Sequence, residues 1–531
     1  MWEDYAHRFR LRAHKVMSQS VVLRQLEDLP RYRLVIIDES HNFRNREGKI
    51  YQAIRGYLDR NDSKVILLTA TPYNKTYLDL GSQLRLFLNE QYDLGIRPEA
   101  ILREVGDSEF SLRNPNTPLS SLAAFEKSEH PDDWREIMRL FLVRRTRSFI
   151  IANYAEFDDA NGRPFLTLPN GVRMYFPTRS PHSVKFRSDP SDPADPVAGL
   201  FSEHIVDIID GLDLPRYGLS LYQKAKLPLD LKDSDRKLLD DLSRAGKRLK
   251  GFCRTNLFKR LESSGHSFIL SIHRHILRNY LFLHALENKL PLPIGQQDAS
   301  SLDPRYRDAG EGELDLDDEE EPLPPFGAWD ESHYRAEAAK LYQYLSSHQS
   351  RRYRWLRTDV FKPGLPGDLL RDAESLHRIL TEAGEIAPAQ DYKLQALIHL
   401  LGTEAPKEKF LLFSQFADTA HYLSEQLHAA GIDGVDCVTG NSENPARQAW
   451  RFSPESNDRL KEFPSSKQSR VLVATDVLSE GQNLQDASRV SDDDLAELVT
   501  TLHRDDRLVV VNLHDEPMKE PRILCSLGLA E

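Results

Sequence analysis

Two short apolar runs near the start of the chain end in polar clusters. Arg33–Ile37 reads RLVII and passes straight into Asp38 and Glu39, and Lys64–Leu68 reads KVILL and passes into TATP. Continuous apolar runs of this length, bounded by polar residues, predict strands buried in a parallel sheet. Between them, Ile50, Ile54, Tyr57 and Leu58 fall at helical spacing within Gly48–Leu58, which predicts the crossover helix that parallel strands require. Strand, helix and strand make an α/β lobe.

The same grammar returns late in the chain. Phe410–Phe413 (FLLF), a helical pattern from about residue 416 to 430, and Arg470–Ala474 (RVLVA) predict a second α/β lobe. From about Ala152 to Gln390 the pattern changes to Pro-rich loops and helical stretches such as Ser267–Asn288. Further helices are predicted at Ser332–Ser347 and Tyr392–Leu401, leading into the second lobe. The acidic stretch Asp308–Pro325 reads as a disordered linker. The expected division is 1–150 for the first lobe, 151–390 for a helical insertion, 391–490 for the second lobe and 491–531 for a tail.

Composition changes this picture little. A chain of 531 residues exceeds what one core organises. It is 40% hydrophobic and 29% charged, and no apolar run approaches the roughly 20 residues a membrane-spanning helix needs. The N-terminal MWEDYAHRFRLRAHK carries no secretory pattern, so a cytoplasmic location is expected. Cys253, Cys437 and Cys525 are far apart and suggest neither a disulfide framework nor a zinc site. The net charge of -12 argues against a uniformly basic nucleic-acid binder, but charge is segregated: Arg236–Arg260 is rich in Lys and Arg, whereas Glu311–Glu321 reads EGELDLDDEEE. The basic stretch suits either a phosphate-tracking helix or an ordinary amphipathic surface.

Asp38, Glu39, Ser40 and His41 follow directly on a predicted strand, so two carboxylates stand at its C-terminal end, where α/β sheets place their ligands. Hydrolysis of a nucleoside triphosphate needs a carboxylate to hold Mg²⁺, usually through water, and a group to orient or deprotonate the attacking water. Asp38 and Glu39 suit those roles, although an acidic pair can also merely end a strand. Thr69 and Thr71 in TATP supply two hydroxyls able to bond the acidic motif. His41 has no second ligand at metal spacing and reads as a hydrogen-bonding residue.

Taken together, these segments carry a family resemblance. DESHNFRN at Asp38–Asn45, LLTATPYN at Leu67–Asn74 and FLVRRTR at Phe141–Arg147 resemble consecutive signatures of the Swi/Snf family of superfamily 2 helicase-like ATPases. FLLFSQF at Phe410–Phe416 and VLVATDVLSEGQNLQ at Val471–Gln485 resemble that family's fourth and fifth helicase motifs, and LFKRLESSGHSF at Leu257–Phe268 resembles a stretch found in a bacterial branch of large Swi/Snf-like helicases. The resemblance implies two RecA-like parallel-sheet lobes joined by a mainly helical insertion, with ATP and Mg²⁺ as cofactors and nucleic acid, DNA rather than RNA, as partner. By the same resemblance Asp38 holds Mg²⁺ through water, Glu39 is the base, His41 belongs to the catalytic motif, and Thr69 and Thr71 couple ATP state to nucleic-acid grip. Ser414, Gln415, Thr475, Asp476, Gly481 and Asn483 would contact nucleotide or nucleic acid. Arg144 and Arg145 would sense phosphate or form ion pairs at a helix end.

Two departures stand against the family pattern. No Gly-x-x-x-x-Gly-Lys-Ser/Thr loop occurs: REGKI around Lys49 and RAGKRL around Lys247 lack the first glycine and the hydroxyl. After SEGQNLQDA the pattern should continue into another strand and a Gln-x-x-Gly-Arg-x-x-Arg motif, but SRVSDDDLAELVTTLHRDDRLVVV follows. The expectation is a translocase or helicase whose first lobe is truncated at its N-terminus and which is inactive alone in ATP hydrolysis. The alternative is a non-catalytic nucleic-acid-binding subunit. In either case a separate chain could supply the Walker A segment.

Overall fold

The computed structural model describes residues 2–11, 14–69, 71–73, 76–89, 92–144, 147–160, 162–167, 173–176, 178–294, 329–348, 353–457, 459–478, 483–484, 486–487, 489–491 and 507–512. The acidic stretch 308–325 lies outside them. The described residues divide into two compact units, one reaching residue 144 and the other beginning at Arg147.

The first unit is built on β1 (Leu34–Ile37) and β2 (Lys64–Leu67), paired in parallel with Ile36 opposite Ile66. The predicted crossover is α3 (Lys49–Asn61), preceded by α1 (Trp2–Arg8) and α2 (Gln19–Gln25). Alternation along the strands decides what is covered. Val35, Ile37, Val65 and Leu67 pack with Tyr51, Ile54, Tyr57 and Leu58 of α3 and Val22 of α2. Leu34, Ile36, Ile66 and Leu68 point the other way and are 49%, 42%, 45% and 36% exposed. A second cluster gathers α4 (Leu78–Leu84) and α5 (Pro131–Phe141), where Tyr77 stacks on the fully buried Trp134 at 5.7 Å.

The second unit opens with a small antiparallel sheet of β3 (Glu156–Phe157), β4 (Pro164–Thr167) and β5 (Arg173–Tyr175), followed by β6 (Thr178–Ser183). A helical stack comes next: α6 (Asp233–Ser263), α7 (Gly265–Glu287), α8 (Glu331–His348) and α9 (Leu365–Ala383), with the antiparallel pair β7 (Leu292–Ile294) and β8 (Arg354–Leu356) beside it. The helix α7 is buried on nearly every side, as expected of a helix at the centre of a stack.

The chain then enters the main sheet by way of α10 (Tyr392–His399). The remaining strands are β9 (Phe410–Phe413), β10 (Val435–Val438), β11 (Val471–Ala474), β12 (Arg489–Ser491) and β13 (Arg507–Asn512), with α11 (Ala417–Ala429) and α12 (Pro445–Phe452) as crossovers. All six strands run parallel in the order β10-β11-β9-β12-β13-β6. Both faces of the central strands are covered. Phe410, Leu412, Val471 and Val473 meet Leu397, Leu401, Ala420 and Leu427 on one side, while Leu411, Phe413, Leu472 and Ala474 meet Ala449, Phe452 and Leu478 on the other.

The α/β class, with two parallel-sheet lobes and a mainly helical stretch between their strands, is therefore present. Two features extend the sequence reading: β6 comes from within 151–390 yet joins the second sheet, and β12 forms in the stretch that followed SEGQNLQDA, where the polar RVS offered no apolar run to read. No helix among the described residues is long and apolar enough to cross a membrane.

Candidate functional site

In the first unit the parallel ladder delivers the acidic motif and TATP side by side. The amide of Leu68 donates to Ile37 O and that of Ser40 to Leu68 O, both at 2.9 Å, so the two strand ends remain in register as they turn into their motifs. Glu39 makes the turn in a left-handed conformation, φ 47° and ψ 50°. Such a backbone costs a non-glycine residue on the order of 1–3 kcal/mol and is concentrated at functional positions. It starts the short 3₁₀ turn Ser40–Phe43, whose buried Ser40 hydroxyl donates to Gln83 Oε1 at 2.8 Å. Gln83 Nε2 in turn donates to Pro72 O at 2.6 Å, so one buried amide ties the acidic motif to the residues after TAT.

His41 provides a second tie. Its Nδ1 shares a hydrogen bond with Thr69 Oγ1 at 3.2 Å and lies 3.3 Å from Glu39 Oε2. Thr69 Oγ1 also accepts from the Thr71 amide at 3.1 Å, and Arg44 Nη2 donates to Thr71 O at 2.6 Å and to Thr71 Oγ1 at 3.2 Å. His41 is thus placed as a hydrogen-bonding residue between the carboxylate and the threonines. Arg44 belongs to DESHNFRN but its role was not legible there, and Gln83 has no sequence signal at all, lying more than forty residues from Ser40.

Asp38 is exposed at the strand end. Its Oδ1 accepts from the Glu39 amide at 3.1 Å and its Oδ2 from Trp2 Nε1 at 2.8 Å. Among the described residues no group of three or more His, Cys, Asp or Glu could hold a metal. The donor set therefore does not fit an all-protein cage. It does fit Mg²⁺ bound as that ion usually is, through one or two carboxylates with waters and substrate phosphates. For the phosphates themselves the sequence offers no glycine-lysine loop.

Below this site, burial pushes Glu126 up, but Arg85 and Arg46 together hold its carboxyl below the usual range; Arg85 Nη2 donates to it at 2.9 Å. Burial raises the Tyr51 hydroxyl to about 12, keeping it a neutral donor to Ser82 O. Arg144 is exposed at the end of α5, lining a shallow hollow with Arg135, Met138, Arg139, Leu142 and Val143. Arg145 lies outside the described residues.

In the second unit, Ser414 and Thr475 sit at the C-terminal ends of adjacent parallel strands. Ser414 N donates to Ala474 O and Thr475 N to Val438 O, both at 3.0 Å. Both residues are buried, and the Ser414 hydroxyl lies 3.4 Å from that of Ser263 and accepts from Phe416 N at 3.3 Å. Ser263, Thr419 and Ser267 continue the hydroxyl chain at 2.9 and 2.7 Å. Gln415 is half-buried in the same loop, and Asp476 opens the 3₁₀ turn Asp476–Leu478. Asn483 is pinned to the loop after α12, exchanging bonds of 2.7 Å with Asn457 and Ser456, and its buried Oδ1 has no hydrogen-bond partner among the described residues. Gly481 lies outside the described residues.

A clamp joins this loop to the helical stack. Asp418, at the start of α11, receives Arg260 Nη1 at 2.8 Å and Arg274 Nη2 at 2.9 Å. Burial opposes its charge, but the two guanidiniums hold its pKa below the ordinary value. Arg260, 0% exposed, also lies over the Phe416 ring at 4.6 Å. Sequence reading placed Arg260 at the end of a basic stretch with surface or phosphate roles; it is instead a core residue. Only its position inside LFKRLESSGHSF hinted at that.

The sheet order, the motif ends and a family model converge on one identification. A model of the helicase conserved C-terminal domain matches residues 392–509. This stretch is a helicase C-terminal domain. The match begins at α10 and runs into β13, a strand within the stretch that the sequence reading assigned to the tail. Among curated proteins none matches the chain. Solved structures similar to it include the Sulfolobus solfataricus SWI2/SNF2 ATPase core in complex with dsDNA, at 14% identity over 93% of this chain and 66% of that one, TM-score 0.22. The Sulfolobus solfataricus SWI2/SNF2 ATPase core domain alone gives 14% identity over 96% and 72%, TM-score 0.24. The E. coli DEAD-box protein SrmB bound to RraA gives 22% over 23% and 69%, TM-score 0.18. TM-scores this low decide nothing about activity.

Proposed function

We propose that this chain belongs to an ATP-dependent, duplex-DNA translocase or helicase of the Swi/Snf type, working in the cytoplasm. The single observation that carries the reading is the joining of the acidic motif to TATP through His41 and Thr69, 3.2 Å apart, in a chain that also holds a helicase C-terminal domain. Bound Mg²⁺ and ATP would supply the phosphoryl electrophile and neutralise its charge. Asp38 would orient the ion through water. Glu39, aimed by its left-handed backbone, would take the proton of the attacking water. His41 would report the state of Glu39 to Thr69 and Thr71, and Arg44 would carry that state on through Thr71. Arg144 and Arg145 would meet phosphate. On the helicase domain, Gln415, Asp476, Gly481 and Asn483 would meet nucleotide or nucleic-acid backbone, with Ser414 and Thr475 shaping the loops from beneath.

One observation favours a second reading. The sequence contains no phosphate-binding loop and no Gln-x-x-Gly-Arg-x-x-Arg motif, and loss of the lysine and arginine that meet the phosphates would lower hydrolysis by several orders of magnitude. A nucleic-acid-binding subunit, completed by a separate chain carrying the Walker A segment, accounts for this. The deciding experiment is ATP hydrolysis by the purified chain with and without duplex DNA, alongside DNA binding, with Glu39→Gln as control. Turnover that DNA stimulates and Glu39→Gln abolishes supports the motor acting alone. Binding without turnover supports the subunit, and absence of both removes the two readings together.

A further inference from the structure

One contact at the candidate site comes from an element that the proposed chemistry does not use. Asp38 Oδ1 accepts from the Glu39 amide at 3.1 Å, a bond internal to the turn, and Oδ2 accepts from the indole Nε1 of Trp2, at the start of α1, at 2.8 Å. An indole N–H donates and has no lone pair to offer, so Trp2 cannot join the coordination shell of an ion. It presents the positive end of its N–H to the oxygen that a water of that shell would use. Both oxygens of the carboxylate that fits Mg²⁺ are thus engaged by the chain itself, one through a bond that the turn fixes and one through a bond that can be broken.

The helix that delivers Trp2 is lightly held. It has seven residues, and isolated helices shorter than about 12–15 residues are marginal in water. Ala6 is buried, whereas Tyr5, His7 and Phe9 are exposed. Among the described residues no other helix or strand packs extensively on α1, and the bond to Asp38 is the one side-chain hydrogen bond from α1 to the rest of its unit. The Trp2 ring leans on Tyr5 at 6.0 Å, and Tyr5 stacks on Phe9 at 6.3 Å. That ladder has the three- and four-residue spacing of a helix, so it orients the indole while α1 is folded and not otherwise. The chain leaves α1 through Arg10, held at φ 51°, a left-handed backbone that a released segment would give up.

We infer that α1 is an autoinhibitory strap: docked through Trp2 it closes Asp38 to Mg²⁺, and the ion binds the population in which the strap has lifted. This rests on the reading of Asp38 as the Mg²⁺ carboxylate and adds the regulation of that site. Metal binding and strap docking are then mutually exclusive, and each weakens the other by the same factor. The apparent affinity of a ligand falls with the fraction of the protein in its binding-competent state, so any change that loosens the strap tightens the metal.

The test is fluorine NMR of the full chain carrying 5-fluorotryptophan, in which each of the five tryptophans reports its own surroundings and Trp2→Phe assigns the resonance of Trp2. Asp38→Ala removes the acceptor and gives the position of the released indole. Magnesium chloride, titrated against potassium chloride at constant ionic strength, is expected to move the wild-type Trp2 resonance to that position and to leave the other four in place. Ala6→Gly weakens α1 by what a glycine costs in a helix interior and is expected to lower the Mg²⁺ concentration at half-shift about fivefold, with the other four resonances unchanged as proof of folding. Free Mn²⁺ counted by electron paramagnetic resonance reports the metal site separately, as the difference between the wild-type chain and Asp38→Ala. Suppose one site is lost in Asp38→Ala, yet Mg²⁺ leaves Trp2 unmoved, Trp2 stands at its released position without metal, or Ala6→Gly has the wild-type midpoint. Any of these overturns the strap and leaves Asp38 as the metal carboxylate. No site lost in Asp38→Ala overturns both.

Discussion

The two sheets of this protein are written in the same sequence grammar and end in different environments. In the helicase domain, β9 and β11 are buried at every residue, because α10 and α11 cover one face and α12 with the Asp476–Leu478 turn covers the other. In the first unit, β1 and β2 are nearly as apolar, yet among the described residues α2 and α3 cover one face and Leu34, Ile36, Ile66 and Leu68 on the other are exposed. An apolar run predicts a strand; whether both its faces are buried depends on neighbours that the run does not encode. Both sheets still place their polar motifs at C-terminal strand ends, so motif position is the same in spite of the difference in burial.

The sharpest test of that difference is Asp418→Ala, which leaves the guanidiniums of Arg260 and Arg274 buried without their carboxylate. A cost of about 3–5 kcal/mol is expected, read as loss of the helicase domain's cooperative urea transition. Next comes a matched pair. Leu472→Ala, in a fully buried site, should cost about 2–5 kcal/mol, whereas Ile36→Ala, on the open face of β1, should cost less than about 1 kcal/mol. Equal costs in urea titrations would mean that the face of β1 is covered in solution.

Acid should separate the units in the same direction. Burial, reinforced by the nearby His377, pushes the His273 imidazole down to about 4, and its Nδ1 shares a 2.5 Å bond with Tyr334 Oη. A histidine whose folded pKa lies below its unfolded value of about 6.5 stabilises the fold fully above that pH and loses the contribution as pH falls toward 4. On the order of 1–3 kcal/mol should be lost on acidification, and melting curves of His273→Gln should fall less steeply between neutral pH and about pH 4.5 than those of the wild-type chain. The smallest effect is expected at Glu39. Glu39→Gly relieves a left-handed φ and should leave the first unit equally stable or more stable by about 0.5–1 kcal/mol, while DNA-stimulated ATP turnover, if the chain shows it, disappears. A destabilised variant would place the side chain of Glu39 in the fold rather than in the chemistry.

Much of this was legible where the information is local. The strands at Leu34, Lys64, Phe410 and Val471, the crossovers between them and the long helices all follow from periodicity, and the acidic and TATP motifs could be paired because parallel strands deliver their ends together. What was not legible depends on distant partners. Arg260 reads as one more base in a basic stretch until Asp418, 158 positions away, is brought beside it. Ser40 finds Gln83, and the short or polar strands β6 and β12 gain their identity from the sheet they join. The left-handed turn at Glu39 carries no glycine or asparagine to announce it.

The outermost pairing of the large sheet has a consequence for how the protein is made. Thr178 of β6 stands opposite Arg507 of β13, about 330 residues further along. At a synthesis rate of about 5–20 residues per second, β6 leaves the ribosome roughly 15 to 65 seconds before its neighbour exists. During that interval the emerging chain exposes an unpaired segment, and loop closure over such a span contributes nothing until β13 arrives. Completion of the sheet edge is thereby a late event of biosynthesis, and the nascent polypeptide must be protected from self-association until then.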